Sequence, residues 1–90
     1  MNIVYILYGE NYDNFRYYIA NTNPIVWNMD INYAKRYSSS KSAEYEIIED
    51  YNNYRDIKKL KENGSINKIY VAEYDTLNGN EIRRLDILWV

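Results

Sequence analysis

In Trp27-Asn-Met-Asp-Ile-Asn-Tyr-Ala-Lys-Arg-Tyr-Ser-Ser-Ser-Lys-Ser-Ala43, a large aromatic leads into two successive helix starts, and the fold turns on how this stretch is read. Asp30 has the character of an N-cap: its carboxylate can accept from the free N–H groups of Asn32 or Tyr33. Met29 and Ala34 occupy the N′ and N4 positions of a hydrophobic staple. The spacing therefore predicts a short helix from Ile31 to Tyr37. Ser38 to Ser40 break it. Ser40 or Ser42 can cap a second helix whose first turns carry Glu44 and Glu46, the charge favoured at the positive end of a helix macrodipole.

Upstream of this stretch the chain reads as strands. Ile3 to Tyr8 is apolar on both faces, as expected for a strand well inside a sheet. A polar connection, Gly9 to Asn14, leads to Phe15 to Ala20, the return strand of a hairpin. Asn21-Thr-Asn-Pro24 is dense in turn formers, and Pro24 biases Asn23 away from helix, so the chain re-enters extended at Ile25 to Trp27. Trp27 is expected to cover the core beside the first helix.

Downstream, Ala43 to Glu62 is helical, with Ala43, Ile47, Tyr51 and Tyr54 on one side. Continuing that stripe would bury Lys58 and Lys61, whereas Ile57 and Leu60 fall about a quarter turn away. A kink or a break is therefore expected at Asn52-Asn53, where Asn53 can cap a fresh helix. Asn63-Gly64 reads as its αL stop. Leu77-Asn78-Gly79-Asn80 places Asn-Gly between apolar runs, the signature of a type I′ hairpin. That register sets Tyr74 opposite Arg83, Glu73 opposite Arg84 and Ala72 opposite Leu85. It makes Tyr70, Ala72, Tyr74, Leu85, Ile87 and Trp89 one core face. The resulting expectation for residues 1–90 is a single α+β domain. It has a small antiparallel sheet of about four strands, with two or three helices packed on one face.

Composition narrows the function. With 90 residues there is room for one modest core and none for a separate catalytic module. The chain contains no Cys and no His, which removes the thiolate nucleophile, the disulfide, and the commonest metal ligand and general base. The remaining carboxylates, Lys, Tyr and Ser form no catalytic motif, so no enzyme activity, cofactor or metal is expected. A net charge of −2 argues against electrostatically driven nucleic-acid binding. No apolar run approaches the roughly 20 residues needed to cross a bilayer, and Met1 to Tyr8 lacks the basic start and cleavage site of a signal peptide. No membrane association and a cytoplasmic location are expected. The 12 tyrosines, with abundant Asn and Ile, fit the A/T-rich codons of a low-GC genome, the alternative being selection for a Tyr-rich surface.

Two resemblances can be stated on residues. Val4-Tyr5-Ile6-Leu7 followed by Tyr17-Tyr18-Ile19 resembles the start of a GIY-YIG nuclease domain. The Gly of both tripeptides is missing, however, as are a correctly placed downstream Arg and any His, so nuclease activity is not expected. An N-terminal hairpin followed by Trp27-x-x-Asp30-x-x-x-Ala34-x-x-Tyr37-x5-Ala43 is similar to small phage and mobile-element proteins of low-GC bacteria. The chain also resembles the small anti-CRISPR proteins in size and acidity. This likeness spans about the first 60 residues. It implies stoichiometric, non-catalytic inhibition of a bacterial host protein, in particular a defence effector that handles nucleic acid, by surface contacts that compete with nucleic acid.

The expected partner surface is the solvent side of the second helical segment: Tyr45, Glu46, Glu49, Asp50 and Asn53. It combines an exposed aromatic with carboxylates able to steer association towards a basic groove. The bland alternative for Glu44, Glu46, Glu49 and Asp50 is a helix start complementing its own dipole. The competing function is a small nucleic-acid-binding module using the basic end at Lys58, Lys59, Lys61 and Lys68 with nearby tyrosines.

Overall fold

A computed structural model of the chain describes residues 2–22, 25–49 and 56–86. Among the described residues, five antiparallel strands form one sheet: β1 (Ile3–Glu10), β2 (Arg16–Asn21), β3 (Val26–Asn28), β4 (Lys68–Asp75) and β5 (Asn80–Asp86), in the order β3-β2-β1-β4-β5. β1 is central, as its two-sided apolar pattern requires. The fold is α+β, with one strand more than expected, because the extended piece around Trp27 pairs with β2 as an edge strand.

Helices α1 (Ser40–Glu49) and α2 (Asp56–Glu62) lie on one face of the sheet. There Ala43, Ile47 and Ile57 join Leu7, Ile19, Ile69 and Val71 in one buried cluster. α1 is capped by Ser39, not by Ser40 or Ser42: the Ser39 hydroxyl accepts from the Ser42 N–H at 3.2 Å. α2 ends as expected, with Gly64 at φ 79 and the Ile66 N–H donating back to the Leu60 carbonyl. The kink or break expected at Asn52-Asn53 lies outside the described residues, as do Tyr51, Tyr54, Ile87 and Trp89. No described helix is long and apolar enough to cross a membrane.

The helix expected from Ile31 to Tyr37 is a single 3₁₀ turn, Ile31–Tyr33. Asp30 does cap it, accepting from the Asn32 N–H at 2.9 Å, but Met29 stays exposed and no staple closes over it. Ala34 is already extended, and the chain then runs into the gap where β1 and β2 diverge. The Lys35 N–H donates to the Ile19 carbonyl, and Tyr37 exchanges both backbone bonds with Tyr5. Sheet partners on both sides satisfy these groups better than a further helical turn in a short polar stretch. Ile31 and Ala34 thereby cover the sheet face opposite the helices.

The second hairpin departs from its expected register. Asp75, not Leu77, pairs with Asn80, and only Gly79 in the turn has positive φ. The Asp75 carboxylate accepts from the Leu77 and Asn78 N–H groups and from the Asn78 amide, so the turn begins at Asp75 and the loop is longer than type I′. A loop lengthened in this way would still leave Leu85 on the tyrosine face. The β-bulge at Ile82 moves it: beyond that point Glu73 faces Arg83, Ala72 faces Arg84 and Val71 faces Leu85. The face of Tyr70, Ala72 and Tyr74 therefore carries Arg84, and Leu85 turns to the helix side.

Candidate functional site

α1 projects Tyr45 into solvent at 64% exposure, with Ile48 one turn on and also exposed. Glu44 and Glu49 flank them, both half-buried. The Tyr45 hydroxyl is held above its ordinary pKa, first by its hydrogen bond to Glu49 and then by that carboxylate's charge. This orients the ring along the helix. The first turn of α1 contains no acidic residue. Its carboxylates lie from the second turn onward, beyond the first turn in which the macrodipole favours a negative charge. Dipole complementation therefore does not account for their placement.

Of the expected contact residues, Tyr45 and Glu49 thus share one exposed face. Glu46 does not belong to it: its carboxylate accepts from the Lys35 ammonium at 3.1 Å, and that ammonium also reaches the Thr22 hydroxyl. Glu46 ties α1 to the segment between β1 and β2, so it is removed from the site as a free charge. Asp50 and Asn53 lie outside the described residues.

The basic end is not a continuous stripe. Lys59 and Lys61 sit in the last turn of α2, which Glu62 closes, while Lys68 opens β4 directly opposite Glu10. The sheet tyrosines do not help such an interface. Tyr8 lies between Tyr18 and Tyr70, with ring centroids 5.6 and 5.3 Å away. Arg16 covers the Tyr8 ring at 4.4 Å and Arg84 covers Tyr70 at 4.3 Å. Each guanidinium is itself paired: Glu10 lies 3.5 Å from Arg84 and Glu81 lies 3.3 Å from Arg16. Rings capped by neutralised cations offer neither a stacking surface for bases nor a free charge for phosphate.

A groove that pattern reading did not find lies on the helix side of the sheet, between the β1–β2 turn and the α2–β4 loop. It is lined by Asn11, Tyr17, Trp27, Leu60, Ser65 and Ile66, is open to solvent and has a volume of about 300 Å³. Trp27, expected to cover the core, is only partly buried because one side of it forms the groove wall. Gly9 allows the closure: a Cβ there would meet both Trp27 Cζ3 and Ile66 Cδ1 at 3.0 Å. Among the described residues, no group of His, Cys, Asp or Glu could hold a metal ion. Comparison of the chain with protein families, with curated proteins and with solved structures finds no match.

Proposed function

We propose that the chain is a non-enzymatic inhibitor that binds a bacterial effector of the nucleic-acid-handling kind, acting as anti-CRISPR proteins act, through the exposed face of α1. The observation that carries this reading is the pairing of exposed Tyr45 with Glu49, beside Glu44 and Ile48, at positions where the helix dipole gives the carboxylates no stabilising role. An aromatic anchor with an acidic surround suits a basic groove that would otherwise hold a phosphate backbone: Tyr supplies rigid contact area, and the carboxylates raise the on-rate. The nucleic-acid-module reading loses support from the capped tyrosines and the interrupted lysines.

The test is phage plating on a host whose CRISPR interference is active, with and without the protein expressed. The wild-type chain is expected to restore plating. A Tyr45→Ala, Glu49→Lys double variant is expected to lose at least tenfold in effector affinity, about 1.4 kcal/mol, with its melting temperature unchanged. No rescue by the wild type overturns the anti-CRISPR form of the proposal. Full rescue by the folded double variant removes this face as the site.

A further inference from the structure

The groove between Tyr17 and Trp27 has a chemical selectivity that its lining spells out. Its walls are two aromatic side chains and the aliphatic Leu60 and Ile66, and among the described residues no ionisable acid or base of the carboxylate, ammonium or guanidinium type lines it. The part of an occupant that these walls cover gives up its hydration with no charged partner among the described residues, so that part is neutral. A cavity of roughly 150 Å³ holds a benzene ring. The groove's volume of about 300 Å³ therefore admits a fused bicycle.

Asn11 decides between an aromatic hydrocarbon-like guest and a heteroaromatic one. Its side-chain oxygen accepts from the Asp13 and Phe15 N–H groups, both at 3.0 Å, which fixes the orientation of the amide. The amide nitrogen makes no hydrogen bond among the described residues, so Asn11, which lines the groove, has a donor to offer an occupant. Ser65 stands exposed at the mouth, with its backbone N–H held by the Asn63 side chain at 2.9 Å. Both polar groups sit on turns locked by their own Asn caps, so the donor is in place before a ligand arrives. An indole offers a donor to this amide and no acceptor, whereas a purine offers ring-nitrogen acceptors in a skeleton of similar size.

We propose that the Tyr17–Trp27 groove is a binding site for a neutral purine-type ring, which stacks on the aromatic walls and accepts a hydrogen bond from the Asn11 amide. This site is independent of the α1 face.

The experiment is a titration of the full ¹⁵N-labelled chain with adenosine, followed by two-dimensional NMR. Adenosine is expected to shift the Trp27 indole N–H and the Asn11 side-chain amide and to saturate at about 1 mM or below. Indole is expected to bind at least tenfold more weakly. Asn11→Asp keeps the oxygen that accepts from Asp13 and Phe15 while removing the donor. It is expected to cost adenosine at least tenfold in affinity, with signal dispersion and melting temperature retained. If that variant unfolds, the ratio of adenosine to indole affinity on the wild-type chain decides alone. No shift at these residues, shifts confined elsewhere, indole binding as tightly as adenosine, or undiminished binding by folded Asn11→Asp would each overturn the proposal. A large gain for adenosine 5′-monophosphate over adenosine would overturn its neutral character.

Discussion

Leu7 and Tyr8 are neighbours in β1 and both are fully buried, yet they close against opposite halves of the molecule. Leu7 enters an aliphatic cluster roofed by α1 and α2. Tyr8 enters an aromatic ladder roofed by a 3₁₀ turn and two arginines. The first half is held chiefly by apolar burial, which is nondirectional, with the Tyr37 hydroxyl buried at its edge. The second depends on hydroxyls, guanidiniums and carboxylates whose geometry and ionisation must be right. One strand with period-two alternation thus supports two cores with different physical sensitivities.

Cutting into the aliphatic half has the largest expected effect. Leu7→Ala removes a side chain at the centre of that cluster and is expected to cost about 3 to 5 kcal/mol, enough to unfold much of a small domain. Denaturant melts measure it. A loss below about 1 kcal/mol would mean that the helices collapse onto the void and that this half is not close-packed.

The same substitution of Tyr by Phe is expected to have opposite signs in the two halves. Tyr37 belongs to the helix-side cluster, and its buried hydroxyl has no hydrogen-bond partner among the described residues. Tyr37→Phe relieves the desolvation of that oxygen and is expected to raise stability by about 1 kcal/mol. Tyr8→Phe removes an acceptor that Arg84 reaches at 3.4 Å. It is expected to lower stability by about 0.5 to 1 kcal/mol. Equal shifts of the same sign would erase the distinction between the halves.

The smallest effect is on the pH profile. Burial raises the pKa of Tyr8, against the opposing pull of the Arg84 hydrogen bond, and burial with the nearby Glu46 charge raises that of Tyr37. A folded pKa above the unfolded value gives stability that is complete below the ordinary tyrosine pKa of about 10 and is lost as pH rises through the folded value. Thermal melts between pH 8 and about 11 are expected to show this alkaline loss, reduced in Tyr8→Phe and in Tyr37→Phe. An identical alkaline slope in both variants and the wild type would mean that neither hydroxyl titrates differently in the fold.

Strand positions, the central place of β1, the Asp30 and Gly64 caps and the α+β class were legible in the sequence, because capping, alternation and αL glycines are decided within a few residues. The helix expected to reach Tyr37 failed because its backbone groups found partners on strands distant in sequence, at Ile19 and Tyr5. Of the contact face expected on α1, Tyr45 and Glu49 came together as read. Glu46 was withdrawn by Lys35, an ion pair across the fold that no helical periodicity encodes. The groove was invisible for the same reason: Asn11, Trp27 and Ile66 come from separate segments.

The hairpin ending at Asp86 marks the boundary most clearly. Its existence, and a turn around Asn78-Gly79, follow from local chain stiffness and glycine's freedom at positive φ. Which face each β5 residue takes follows from one bulge at Ile82, and a one-residue slip costs little locally while exchanging every side chain across the sheet. Only the assembled sheet, with the Tyr70 ring under Arg84 on one side and Leu85 turned to the other, could choose between those registers.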